Sequence, residues 1–166
     1  QVLAQNCYAG QTWQWDGINF RMLYPPQGEP YGGNKSSCVM RIDNGKHSIL
    51  LPGDIESGQE KKLLQQVDKG LLESSILVAP HHGSGTSSTP DFVSAVNARC
   101  VLFSAGHINR FHFPSAEVLV RYQQQGTKIL QTSDSGAISF KITSGQNSLD
   151  PILYRNIVKH YWEKPM

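Results

Sequence analysis

Bulky and polar residues alternate over residues 13–24, with Trp13, Trp15, Ile18, Phe20 and Met22 as the apolar members. A period of two sends successive side chains to opposite faces of a strand, and Asp16-Gly17 breaks the period as a tight turn does. Two strands of a hairpin are therefore predicted here. Residues 25–35 gather Pro, Gly and polar side chains and read as a loop. Two more strands are predicted near 37–42 and 48–51, on either side of the turn signal Asp43-Asn44-Gly45.

Beyond this point the period lengthens. Ser57-Gly58-Gln59-Glu60 has capping-box spacing, and Leu63, Leu64, Val67 and Leu71 recur at helical intervals, so a helix is predicted over 58–69. Residues 75–79 form a short apolar run suited to a buried strand. Thr89-Pro90 is a helix start ahead of Phe92, Val93 and Val96. A further strand is predicted at 101–103, and a helix at 115–125 closed by Gly126. Residues 129–130 and 137–142 read as a terminal strand pair around Ser133-Asp134-Ser135-Gly136. Alternation of strands and helices points to an α/β layered domain. Residues 150–166 hold Tyr154, Tyr161 and Trp162 without a clear period and are set apart as a docking tail or helix.

Composition narrows the class. The 166 residues suffice for one domain or a large piece of a bigger one, and 39% apolar with 17% charged residues describes a globular chain. No apolar run approaches the roughly 18–20 residues that cross a bilayer. Residues 1–10 lack the pattern of a signal peptide and read as a segment cut from a longer protein. A net charge of +2, with basic residues scattered, permits nucleic-acid contact without arguing for it. Cys7, Cys38 and Cys100 are far apart and odd in number, which argues against a disulfide framework and leaves room for a single bond. Their simplest reading is three half-buried structural thiols.

Chemistry gathers where the short strands end. Leu50-Leu51-Pro52-Gly53-Asp54 places a carboxylate directly after one strand, and Val78-Ala79-Pro80-His81-His82-Gly83-Ser84 places two histidines after the next. Ligands of open α/β sheets collect beyond the strand carboxyl ends, so these groups can meet there. Imidazole and carboxylate are suitable donors for zinc or manganese. Taken singly, Asp54 reads equally as a turn residue and the histidine pair as a solvated loop. Gly83-Ser84-Gly85-Thr86-Ser87-Ser88 lacks the Gly-Lys pair of a phosphate loop, and no Gly-x-Ser-x-Gly elbow is present. His47 is expected to be exposed at a strand edge, and His107, His112 and His160 stand apart.

The ordered motifs carry a resemblance. Asn34-Lys35-Ser36-Ser37-Cys38-Val39, the segment from Leu50 through Asp54 to Ile55-Glu56, and Ala79-Pro80-His81-His82-Gly83-Ser84 with Thr86-Ser87-Ser88 come first. Ser104-Ala105-Gly106-His107-Ile108-Asn109-Arg110-Phe111 with Pro114, and Thr132-Ser133-Asp134-Ser135-Gly136-Ala137-Ile138, follow in the same order. Together, over roughly residues 13–140, they resemble the C-terminal part of the metallo-β-lactamase-like domain of ComEC-type DNA internalization competence proteins. The resemblance implies an αββα sandwich, partial over residues 1–149, with its metals at one edge. It makes Asp54 a metal-bridging aspartate and one of His81 and His82 a late histidine ligand, all three catalytic. It places Asn109 and Arg110 in a loop facing substrate. Ser84 either braces the histidine loop or joins them there.

It also implies a parent protein in the bacterial inner membrane, a channel for DNA uptake in transformation, with this segment a soluble domain on one side. The parent domain would be a metal-dependent nuclease, using zinc or manganese and degrading one strand of incoming DNA without reading its sequence. The family's principal metal motif, His-x-His-x-Asp-His, occurs nowhere in this chain. The chain is therefore expected to be the C-terminal half or a fragment of the domain, holding little or no metal and inactive alone. Its truncated face is expected to expose apolar surface, inviting homo-oligomers or contact with the remainder of the parent channel. Two other readings are a non-catalytic module that guides DNA and a hydrolase of a small ester or lactone.

Overall fold

Asp16 and Gly17 both take positive φ (49° and 76°) in the turn between β1 (Thr12–Trp15) and β2 (Ile18–Tyr24). That is the turn whose twist matches a two-residue hairpin. The computed structural model describes residues 5–143 and 149–158. Across β2 lies β3 (Val39–Asp43), which returns antiparallel through 44–47 to β4 (Ser48–Leu51). From there the pairing changes sense. β5 (Ile76–Val78), β6 (Cys100–Phe103) and β7 (Lys128–Gln131) run parallel to β4 and to one another, completing a seven-stranded mixed sheet in sequence order.

Parallel neighbours need long crossovers, and helices supply them. α1 (Ser57–Gln66) and the single turn α2 (Lys69–Leu72) lie between β4 and β5. α3 (Pro90–Val96) leads to β6, and α4 (Ala116–Gln124) leads to β7. Leu50, Leu77, Val101 and Phe103 alternate onto one face of the sheet, where they are fully buried with Leu63, Phe92, Val96, Val118 and Tyr122. Each such side chain contributes on the order of 1.5–3 kcal/mol through removal from water. The opposite face carries Met22, Met40, Ile42, Ile49, Leu51, Val78 and Leu102, all partly buried, beside the buried Ile76, Cys100 and Leu130. The protein is thus an α/β structure whose main described core cluster lies on one side of a mixed sheet.

Several expectations needed correction. The helix predicted over 58–69 ends at Gln66, and Leu71 belongs to α2, whose start is capped by the Asp68 side chain accepting from Gly70 N at 2.7 Å. The capping box is one residue earlier than predicted, between Glu56 and Gln59, which frees Glu60 for a distant task. Residues 129–130 pair parallel with β6 instead of with 137–142, because a strand arriving from a helical crossover joins the sheet beside the strand it left. β8 (Ile138–Phe140) pairs instead with β9 (Pro151–Leu153), so the segment 150–166 begins as a strand, followed by one helical turn, α5 (Tyr154–Ile157). Its remaining residues 159–166, with His160, Tyr161 and Trp162, lie outside the described residues.

His47 is buried, 6% exposed, and not at an open edge. Cys7 and Cys38 form a disulfide 31 residues apart, which overturns the reading of three free thiols. Cys100 alone is free, and burial pushes its thiol pKa up to about 11.

Candidate metal centre at the strand ends

Two loops meet beyond the ends of β4 and β5. The first, Pro52-Gly53-Asp54, is held by the Asp54 amide, which donates to Ser37 Oγ at 3.2 Å. The second, residues 80–83, is tied to the first by His81 N donating to Gly53 O at 3.0 Å. Both histidines take the left-handed region, His81 at φ 47° and His82 at φ 56°. Non-glycine residues in that region are uncommon and persist where surrounding contacts enforce them. Here the enforcing contacts are on either side. Gly83, at φ 85°, lies against Phe103 and Pro114, and its carbonyl accepts from Ser115 N at 2.9 Å.

The kink turns the two rings in different directions. His82 Nδ1 lies 2.8 Å from the Ser104 carbonyl, which makes Nδ1 the protonated nitrogen, since a carbonyl can only accept. In the neutral ring Nε2 then carries the lone pair, and it lies 3.7 Å from Asp54 Oδ1. Both side chains are open to solvent, 49% and 43% exposed. His81 instead points at Glu56, with Nδ1 3.5 Å from Oε1, and its Nε2 lies 3.4 Å from Asn34 Nδ2. The structure therefore brings Asp54 together with His82 and gives His81 a separate set of neighbours.

The other candidates fall into two places. Ser84 is buried, and its hydroxyl meets Thr86 Oγ1 at 3.1 Å within the histidine loop. Asn109 lies in loop 104–114 but spends its side chain on the loop itself. Its Nδ2 donates to Gly106 O at 3.1 Å and Phe113 O at 2.9 Å, and its Oδ1 accepts from Phe113 N at 2.8 Å. Arg110 is exposed, its guanidinium 4.7 Å from the centre of the Phe111 ring.

Sequence reasoning did not single out the braces. Ser104 supplies the carbonyl that orients His82, a main-chain role that no side-chain pattern announces. Glu60, fully buried on α1, accepts from Ser88 N at 2.5 Å and Thr89 N at 2.8 Å and so fixes the far end of the histidine loop. Arg121 adds Nη1 contacts to Ser87 O and Ser88 O at 3.1 and 3.0 Å, and Tyr122 Oη donates to Ser88 Oγ at 3.1 Å. The signal for Glu60 was a carboxylate one turn before Leu63 and Leu64, on the helix face that carries them. Among the described residues, no group of three or more His, Cys, Asp or Glu side chains is arranged to hold a metal ion.

No family model matches the chain. Over 165 residues, 95% of its length, it is 37% identical to the uncharacterized protein YcaI of Escherichia coli K12, of which it covers 21%. It is 35% identical over 161 residues, 97% of its length, to the competence protein ComA of Neisseria gonorrhoeae, covering 23% of that protein. With the recombination protein 2 of Haemophilus influenzae the identity is 33% over 132 residues, 80% of this chain and 16% of that one. The chain thus spans about a fifth of the length of the curated relatives it matches. No helix among the described residues is long and apolar enough to cross a membrane. Along at least four-fifths of its length, the chain is related to one segment of a family of competence-related proteins.

Proposed function

We propose that this chain is the C-terminal part of a metallo-β-lactamase-like domain, that the domain is a metal-dependent phosphodiesterase, and that Asp54 and His82 are its metal-binding residues here. The observation that carries the reading is the 2.8 Å contact between His82 Nδ1 and the Ser104 carbonyl. An imidazole whose Nδ1–H is spent on a main-chain carbonyl presents Nε2 as a fixed lone pair, the arrangement that orients metal-bound histidines. The 3.7 Å between Nε2 and Asp54 Oδ1 is too long for a hydrogen bond but suits two donors, each about 2.0–2.2 Å from a shared ion. The donor set therefore fits zinc or manganese.

When bound, such an ion supplies Lewis-acid polarisation of a phosphoryl oxygen and activation of water. The chain's own residues do the positioning. Ser37 holds the Asp54 backbone, Ser104 fixes the His82 ring, and the left-handed kink keeps His81 out of the Asp54–His82 gap. The partly buried apolar face of the sheet, from Met22 to Leu102, supports the second layer of an αββα sandwich, to be covered by other parts of the parent protein or by a second copy. Competence-named relatives support DNA uptake as the setting; DNA is the proposed substrate, with one strand degraded as the other is imported. The Cys7–Cys38 disulfide supports placing this segment of a membrane-bound parent on an oxidising side of the bacterial inner membrane.

Calorimetric titration of the purified chain with zinc and with manganese tests the centre. We expect weak binding, lost in Asp54→Ala and in His82→Ala and kept in His81→Ala. Binding that survives both of the first two substitutions overturns the assignment. The same substitutions in the full-length parent should abolish metal-dependent cleavage of labelled DNA. Undiminished transformation without any cleavage would favour a module that only guides DNA.

A further inference from the structure

We infer that Glu60 on α1 is a positioning residue that sets the gap between Asp54 and His82, by locking the chain that follows one donor to the chain that follows the other. The inference rests on the metal-centre reading above and adds a buried helix residue to the groups that hold the pair.

Asp54 and His82 stand at two strand ends with separate exits. After Asp54 the chain passes Ile55, which is fully buried, and enters α1 at Ser57. After His82 it runs through residues 83–88 into α3, whose start is capped by Thr89. Along the covalent chain α1, α2 and β5 lie between the two donors, so their separation depends on ties between the two exits. His81 N donates to Gly53 O at 3.0 Å beside the donors, and Ser57 N donates to Thr86 O at 2.9 Å beyond them. Each of these is a single bond, about which the segments can pivot. Glu60 adds a double tie. One carboxylate oxygen accepts from Ser88 N at 2.5 Å and the other from Thr89 N at 2.8 Å. Two parallel bonds from one planar group fix orientation as well as distance.

A carboxylate is a costly choice for cohesion alone. Glu60 has no exposed surface, and neither have Ser87, Ser88 and Tyr122. Burial raises its carboxyl pKa, a desolvation cost that an apolar side chain on the same helix face would avoid. What the carboxylate adds is a two-point hold on main-chain amides, and the surroundings keep those amides still. Ser88 sits at φ 56°, Arg121 Nη1 donates to its carbonyl, and Tyr122 Oη donates to its hydroxyl. Ser87 Oγ reaches back to Pro80 O at 2.8 Å, so a shift at Ser88 is passed to the residue before the histidine kink. Donors that share an ion tolerate only about 0.2 Å of error in their distances, which makes a distant brace matter.

Calorimetric zinc titration of the full 166-residue chain, paired with the amide resonances of the metal-free chain, tests this. Glu60→Gln keeps the size of the side chain and turns an N–H against one of the two amides. It should weaken zinc binding about 10-fold, the lower end for residues that brace metal ligands. It should also displace the Asp54 and His81 amide resonances before any metal is added. Glu60→Asp, which keeps the charge one methylene shorter, should recover part of the affinity. Val96→Ala is the control for stability alone, since Val96 lies at the far end of α3, where its carbonyl accepts from Ser74 N. It should lower the urea midpoint and leave zinc affinity and both resonances unchanged. A folded Glu60→Gln with wild-type zinc affinity and unmoved Asp54 and His81 resonances overturns the assignment. So does an equal loss of affinity in Val96→Ala. If the wild-type chain binds no zinc, the metal reading fails, and the two resonances decide by themselves whether Glu60 couples the segments.

Discussion

Gly83 lies so close to Phe103 that a Cβ at position 83 would meet ring atoms at 2.6 and 2.7 Å, with Pro114 Cβ also at 2.7 Å. The histidine loop and the Phe103 end of β6 are therefore pressed together with no room for one methyl group. Gly83→Ala should cost about 1–3 kcal/mol from overpacking alone, more with the strain of φ 85°. Because the loop must shift outward, the His82–Ser104 contact should break as well. Urea denaturation gives the first quantity, and the Nδ1 proton resonance of His82 reports the second. A variant of wild-type stability would mean that the loop is looser than this contact implies.

Glu60 is the buried counterpart of that contact. Burial raises its carboxyl pKa, against the lowering effect of the Thr89 and Ser88 hydrogen bonds and of Arg121. A carboxyl harder to ionise in the native state binds more protons there than in the unfolded chain. Its contribution is fully present below the unfolded value and is lost as pH rises through the folded one. Glu60→Gln turns an N–H donor toward one of the two amides and should destabilise by about 1–3 kcal/mol in acid. The gap from wild type should narrow as pH rises. Urea midpoints for both proteins from about pH 5 to about pH 8 check the sign, and a gap that widens with pH refutes it.

These two residues mark what the sequence discloses and what it hides. Strand ends near Asp54 and His81-His82 were legible because short apolar runs stop abruptly at Pro52 and Pro80. The hairpin was legible because Asp16-Gly17 has few other uses between alternating strands. Pairing partners were not, since a period of two says that residues 129–130 form a strand and nothing about which neighbour they join. The capping box slid by one residue because Glu56 and Ser57 both suit a helix start, and only the tertiary demand for Glu60 at Ser88 decides between them. The Cys7–Cys38 bond had no signal at all, because a separation of 31 residues fits a bond no better than two thiols.

That bond makes its own prediction. It fastens the segment before β1 to the residue that precedes β3, one position from the Ser37 hydroxyl that holds Asp54. Closing a loop of this length removes enough unfolded-chain entropy to contribute about 3–4 kcal/mol. Dithiothreitol, or the Cys7→Ser, Cys38→Ser double variant, should lower the urea midpoint correspondingly. Cys100→Ser should not respond to reductant any differently from wild type, because its buried thiol has no partner sulfur. Equal midpoints with and without reductant would place the two cysteines as thiols.

Asn109 sits where a substrate contact is easily imagined, yet both ends of its amide are engaged within its own loop. Removing it should act on the loop before it acts on any ligand. Asn109→Ala leaves the Phe113 amide without its acceptor and frees the Gly106 and Phe113 carbonyls, costing about 1–2 kcal/mol. Asn109→Asp keeps the acceptor and loses both donors, and should fall between the two. Hydrogen exchange at the Phe113 amide should rise strongly in Asn109→Ala and little in Asn109→Asp. If instead both variants keep the amide protected while losing oligonucleotide binding, Asn109 contacts the ligand directly and the loop owes its shape to the Phe111–Phe113 stack.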